Sequence, residues 1–178
     1  MKFKKLGFET KEGLSIANYQ DGWSMEYGEG GSYTCDITYN GVNVAHIIEE
    51  GNGGPIMIDF YNKNHKVEDN KVLECLSRLD DDFKDLDKMP SYLKTNDVSY
   101  ATLVNQLLAA QQKVKVANKM FKQGYVLVGI FDEGYQFSYI GNKVDNEQTL
   151  LDYAKKQGLV KKSTKVSFFR VSNVAQAI

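Results

Sequence analysis

The stretch YTCDITYNGVNVAHIIE, residues 33–49, carries the clearest local structural signal in this chain. Apolar and polar residues alternate on both sides of Asn40-Gly41, which is the pattern of two β-strands that each bury one face. Asn-Gly is the preferred two-residue connection in a β-hairpin, because both turn residues need a positive φ. The stretch therefore predicts a hairpin, in which strict alternation places His46 on one face with Val42, Val44 and Ile48.

Neighbouring stretches extend the hairpin. EGNGGP (50–55) leads into IMIDFY (56–61), which predicts a three-stranded antiparallel meander over about 33–61, and KFKKLGF (2–8) and GLSIANY (13–19) are typical of short strands. In HKVEDNKVLECLSRLDDDFKDLDKMP (65–90) the apolar spacing changes to three and four residues, which predicts a helix bounded by Pro90.

The second half of the chain predicts helices and strands in turn. A long helix, LVNQLLAAQQKVKVANKMFKQ, follows the capping candidates Thr95, Asn96 and Asp97 and ends at Gly124. After it come a hairpin, YVLVGIF and YQFSYIG; a helix, DNEQTLLDYAKKQG, with Asp145 or Asn146 as N-cap; and a closing strand, KVSFFRVSN. The whole pattern predicts the α+β class: an N-terminal antiparallel meander, two central helices, then a C-terminal β-hairpin, helix and strand.

Charge divides the chain unevenly. Residues 1–96 carry a net charge of −6 and residues 97–178 a net charge of +5. The prediction is one α+β domain of 178 residues with a soft boundary near 88–96, between a β-rich acidic part (1–88) and a basic α+β part (97–178). Differently solvated surfaces, an acidic partner for the second half and head-to-tail self-association would each explain the asymmetry.

Several classes of protein are disfavoured by what the sequence lacks. No apolar run approaches the roughly 20 residues that span a bilayer, and MKFKKLGFETKEG is unlike a secretory signal, so we expect a cytoplasmic protein without a membrane partner. Cys35 and Cys75 lie far apart without a CxxC motif, and we expect two reduced thiols that pack in the core. We expect no cofactor and no metal.

The segment around His46 holds the residue types of acid–base and metal chemistry. His46, Glu49 and Asp59 are therefore candidate catalytic residues. Strand alternation separates His46 from Glu49, however, and a hydrogen-bonded structural histidine is the competing interpretation. GNGG (51–54) is followed by proline and a strand instead of a helix N-terminus, so a tight turn is favoured over a phosphate-binding loop.

Two groups of residues are candidates for binding surfaces. Trp23, Tyr27 and Tyr33 lie in or beside a glycine-rich segment, and such aromatic residues suit contacts with a protein partner. Lysines cluster in the second half and would attract phosphate backbones or an acidic protein. The candidate basic patch consists of Lys113, Lys115, Lys119, Lys122, Lys161 and Lys162.

YNGVNVAHIIEEGNGGPIMIDF, residues 39–60, resembles a hairpin and GxGG turn of small uncharacterised bacteriophage accessory proteins. The resemblance carries no catalytic residues. It implies a viral protein that binds or inhibits a protein of the host, in the host cytoplasm. Our leading hypothesis is a non-enzymatic binding protein of this kind. The alternative is a small-molecule or nucleotide-binding protein or hydrolase that uses His46, Glu49 and Asp59, and a third is a weak nucleic-acid binder.

Overall fold

The computed structural model describes residues 10–21, 32–51, 56–61, 71–76, 97–133 and 136–172. The chain divides into two compact units between Ala110 and Gln111, and we call residues 10–110 the N-terminal unit and residues 111–172 the C-terminal unit. The predicted boundary near 88–96 lies outside the described residues. The elements are β1 (Leu14–Asp21), β2 (Tyr33–Tyr39), β3 (Val42–Glu49), β4 (Met57–Phe60), α1 (71–76), α2 (Asp97–Lys122), β5 (Leu127–Asp132), β6 (Phe137–Asn142), α3 (Glu147–Lys156) and β7 (Lys165–Arg170).

The α+β class is confirmed. In the N-terminal unit, the described strands form an antiparallel sheet, sheet A, in the order β1-β2-β3-β4. Asn40 and Gly41 form the predicted hairpin turn, with φ of 49° and 78°. The first predicted strand, 2–8, lies outside the described residues, and only 71–76 of the predicted helix over 65–90 are described.

One face of sheet A forms part of the apolar core. Leu14, Ile16, Ile37 and Ile47 are all buried on it. Phe60 of β4 meets the ring of Tyr100 in α2, with ring centroids 5.6 Å apart. Helix α2 begins at Asp97, one of the predicted capping candidates, and the buried Tyr100 lies in its first turn.

Two β-bulges interrupt the alternation of sheet A, one on each side of β2. On β1 the pairing shifts between Ala17 and Gln20, and on β3 it shifts so that Val44 is the extra residue. Val42 lies opposite Tyr39, as in a regular two-residue hairpin, but the second bulge places His46 opposite Asp36 on the other face, so the predicted common face of Val42 and His46 is wrong. A bulge turns all following side chains of a strand to the other face.

In the C-terminal unit, the described strands form sheet B in the antiparallel order β6-β5-β7. Helix α3 covers one face, where Leu150 and Ala154 pack on Leu127 and Phe131. On the other face, Met120 of α2 lies against Gly141. Helix α3 begins as predicted: the Asn146 side chain accepts a hydrogen bond of 3.0 Å from the Thr149 amide.

Glycines permit the close packing on both faces of sheet B. A Cβ atom at Gly129 would lie 2.5 Å from Cδ2 of Leu150, and one at Gly141 would lie 2.6 Å from the Tyr125 ring. We expect Gly129→Ala and Gly141→Ala each to reduce the free energy of unfolding by about 1–3 kcal/mol, because added methyl groups overpack the core. Urea denaturation measures this loss.

The matched control is Ser138→Ala, at an exposed position of β6, which should change stability by less than about 0.5 kcal/mol. If either glycine variant unfolded at the same urea concentration as the control, the corresponding face of sheet B would not be covered as described.

Candidate functional site

The carboxylate of Asp36 is the centre of the polar face of sheet A. Asp36 lies in the middle of β2 and is 4% exposed. Its Oδ2 accepts hydrogen bonds from Nδ2 of Asn18 (2.6 Å) and Nδ2 of Asn43 (2.9 Å), and its Oδ1 accepts from Nδ1 of His46 (2.7 Å) and the Tyr61 hydroxyl (3.1 Å). A carboxylate offers about four acceptor sites, so these four donors fill them. We call the five residues the Asp36 cluster.

The two bulges bring the donors of the cluster to Asp36. Asn18 lies in the β1 bulge with a φ of 52°, a left-handed conformation that asparagine adopts more readily than most residues. On β3, the bulge at Val44 places His46 directly opposite Asp36 while Asn43 stays opposite Thr38. The donors therefore come from β1, β3 and the residue after β4, and together they tie β2 to the other described strands of the sheet.

Hydrogen bonding keeps Asp36 ionised despite its burial. Burial raises the pKa of the Asp36 carboxyl, but hydrogen bonds from His46, Asn18 and Tyr61, with the charge of His46, outweigh burial and leave the pKa below its ordinary value. The same contact raises the pKa of the Tyr61 hydroxyl, chiefly because that hydroxyl donates to Asp36. A buried charge is tolerated here because all its acceptor sites are used.

His46 is the chemically versatile residue of the cluster. Because a carboxylate only accepts hydrogen bonds, Nδ1 of His46 carries the hydrogen, and Nε2 is left to accept a proton, a hydrogen bond or a cation. The His46 side chain is 35% exposed, and Asp59 lies opposite it on β4. Within the described ranges, no group of three or more His, Cys, Asp or Glu side chains is arranged to hold a metal ion.

The other predicted site residues in sheet A lie apart from His46. Glu49 faces the opposite side of β3, and its Oε1 accepts a hydrogen bond from the Gly51 amide (3.0 Å), which helps to form the turn. The ring of Tyr33 lies 5.9 Å from that of Tyr19, and burial raises the pKa of Tyr33 to about 12. Trp23 and Tyr27 lie outside the described residues.

The predicted basic patch contains two kinds of lysine. Lys113 is ion-paired with Asp132, and Lys161 with Glu133 at 2.7 Å. The remaining four are exposed and form no ion pair with any residue that the structure describes; they are Lys115, Lys119, Lys122 and Lys162.

Both cysteines are free and buried, as the sequence predicts. Burial, with a smaller contribution from Asp36, raises the pKa of the Cys35 thiol to about 12. Cys35 is therefore a protonated core residue at neutral pH, and it is a poor nucleophile. None of the described helices is both long and apolar enough to cross a membrane.

Comparison of the chain with protein-family models, with curated proteins and with solved structures finds no match.

Sequence reasoning named His46 but missed four members of the cluster: Asn18, Asp36, Asn43 and Tyr61. A signal was present, because Asp36 is a charged residue inside a strand whose other face is apolar, and it needed partners if buried. The pairing of Asp36 with His46 depends on the bulge, which the alternation does not reveal.

Replacing the central carboxylate tests the cluster. Asp36→Asn substitutes amide hydrogens for acceptor sites, so at least two of the four donors lose their partner, and we expect the free energy of unfolding to fall by about 2–4 kcal/mol. The control is Asp59→Asn, an exposed carboxylate on the same face, which should cause no measurable loss. Equal urea midpoints for the two variants would contradict the central role of Asp36.

The lowered pKa of Asp36 also predicts that the free energy of unfolding decreases at acidic pH. Because the pKa is lower in the folded chain than in the unfolded chain, the carboxylate's contribution is complete above the unfolded value, about 3.9, and is lost as pH falls through the folded value. The stability difference between wild type and Asp36→Asn should therefore be largest at neutral pH and shrink below about pH 4. Urea midpoints across this range measure it, and a difference that stays constant would contradict the prediction.

Proposed function

We propose that this chain is a binding protein and that β4, at one edge of sheet A as the structure describes it, pairs with an extended segment of a partner protein. The observation that carries the proposal is the exposure of large apolar side chains along this strand. Met57, Phe60 and Tyr61 are 45%, 43% and 58% exposed, and β4 is the last strand of sheet A in the described part of the chain. We call β4 with Tyr61 the binding edge.

The backbone of the binding edge has the geometry for strand addition. The Tyr61 amide donates inward to the Val44 carbonyl at 3.1 Å. Successive residues of a strand direct their backbone groups to opposite sides, so Ile58 and Phe60 direct theirs outward. Unpaired backbone groups at a sheet edge are a template for an added strand, and several domains bind peptides in this way.

Side chains of the binding edge and of the neighbouring strand favour a specific contact with a partner over non-specific adhesion. Hydrogen bonds to Asp36 hold His46 and Tyr61 in place, so these two side chains lose little conformational entropy when a partner binds. Met57 is flexible and fits varied apolar surfaces. Because residues 1–96 carry a net charge of −6, we expect the partner segment to be basic or neutral.

Other expectations from the sequence stay predictions. They are the phage origin, a host protein as the partner, a cytoplasmic location and self-association. The alternative function as a hydrolase around His46 also stays a prediction. It would require a nucleophile or bound water beside Nε2, and the proposal of strand pairing requires neither.

Peptide selection tests the proposal. Peptides from a random library are selected on the immobilised full chain, and their affinities are measured with purified variants. Ile58→Pro removes an outward amide, and Ile58→Val shortens the side chain but keeps the amide. We expect Ile58→Pro to weaken binding by about tenfold or more and Ile58→Val to leave it nearly unchanged.

A second pair of variants tests the side chains. Met57→Asp should weaken the same peptides by about tenfold, whereas Val144→Asp, an equal charge change at a 63% exposed residue of the C-terminal unit, should not. Circular dichroism confirms that each variant is folded. Selected peptides that bind Ile58→Pro and Met57→Asp as tightly as wild type would exclude the binding edge.

A further inference from the structure

The C-terminal unit has a positive charge that its own acids do not balance. Residues 111–172 contain eleven Lys and Arg against five Asp and Glu. Four of these acids are ion-paired inside the unit: Asp132 with Lys113, Glu133 with Lys161, and Asp145 and Glu147 with Arg170. The fifth, Asp152, accepts a hydrogen bond from Gln148. The excess charge therefore lies on other lysines.

Exposed lysines of α2 lie together on one face. Lys115, Lys119 and Lys122 are spaced by four and three residues, which places them along one side of a helix over about 10 Å. The part of α2 in this unit, Gln111–Lys122, contains no Asp or Glu. Its buried side chains, Val114, Ala117 and Phe121, lie on the other side of the helix. We call the three lysines the α2 lysine row.

We propose that the α2 lysine row binds the phosphate backbone of double-stranded nucleic acid. A duplex presents closely spaced phosphates along its outer surface, and lysine ammonium groups neutralise them with release of counterions. The row offers three point charges of one sign and no acidic neighbour on its own helix.

The row suits backbone contact without sequence readout. A bidentate guanidinium is among the commonest groups that read bases, and Arg170, the unit's arginine, is held by Asp145 and Glu147. Lysine contacts with phosphate carry no sequence information. Binding is therefore expected to be similar for duplexes of different sequence.

A second group of lysines provides a matched control. Lys155 and Lys156 end α3, and Lys162 follows it; all three are exposed. Helix α3 packs on the opposite face of sheet B from α2, so we expect a duplex bound along α2 not to contact this second group. Both groups include lysines in the last turn of a helix, Lys119 and Lys122 in α2 and Lys155 and Lys156 in α3, so the two groups interact comparably with a helix dipole. Asp152 adds a negative charge to α3, whereas the α2 segment has none.

The experiment measures the affinity of the full chain for a fluorescein-labelled, mixed-sequence DNA duplex by anisotropy across a series of potassium chloride concentrations. We expect the triple variant Lys115→Gln, Lys119→Gln, Lys122→Gln to bind about tenfold or more weakly than wild type at low salt. Removing three phosphate contacts should also reduce the slope of log affinity against log salt by about 2.7. The control, Lys155→Gln, Lys156→Gln, Lys162→Gln, removes equal charge and should retain nearly the wild-type affinity and slope.

Four outcomes would overturn the proposal: no binding of wild type at low salt, an unchanged slope in the α2 variant, equal losses in the two triple variants, or tight binding to one duplex sequence alone. Thermal unfolding followed by circular dichroism establishes that both triple variants are folded. Because the binding edge lies in the other unit, Met57→Asp should leave duplex binding unchanged, so this proposal and the proposed protein binding fail independently.

Discussion

A single buried carboxylate, Asp36, joins β2 to donors from β1, β3 and the residue after β4. Burying an isolated charge is costly, and the cost is offset only when every acceptor site is used. The four donors supply that condition together: Asn18 and Asn43 on one oxygen, His46 and Tyr61 on the other. Removing any donor, or slipping a strand by one residue, would leave the charge under-compensated. The cluster therefore specifies the register of sheet A as well as stabilising it.

The same constraint connects the fold to the proposed binding edge. The hydrogen bonds to Asp36 also fix the ring of His46, whose side chain is partly exposed, and hold Tyr61 beside β4. Those side chains are thus fixed before a partner arrives, which is the property expected of a specific protein surface. The C-terminal unit differs in its electrostatics. Four of its acidic residues are ion-paired within the unit, and its excess positive charge lies on exposed lysines.

Local patterns were sufficient for the fold class but not for the site. Asn40-Gly41, the Asn146 cap and Gly124, with a φ of 90°, each act within a few residues, so the sequence predicts them. A regular two-residue hairpin would pair His46 with Cys35. The bulge at Val44 shifts the register and pairs it with Asp36 instead. That bulge places His46 in the hydrogen-bonded set around Asp36, whose donors lie far apart in sequence. The ion pair of Lys113 with Asp132 is likewise a contact between separate elements, so spacing alone did not separate it from the exposed lysines.

The position of the hydrogen on the neutral His46 imidazole is a direct measure of its hydrogen bond to Asp36. Free histidine in its neutral form favours hydrogen on Nε2, whereas the contact with Asp36 requires hydrogen on Nδ1. Long-range proton–nitrogen NMR spectra of the full chain report which nitrogen is protonated, and a His65→Gln variant assigns the signals, because the chain has two histidines. We expect the Nδ1–H form for neutral His46 in wild type and its loss in Asp36→Ala, which removes both acceptor oxygens. An Nε2–H form in wild type would show that Asp36 does not accept a hydrogen bond from Nδ1 of His46.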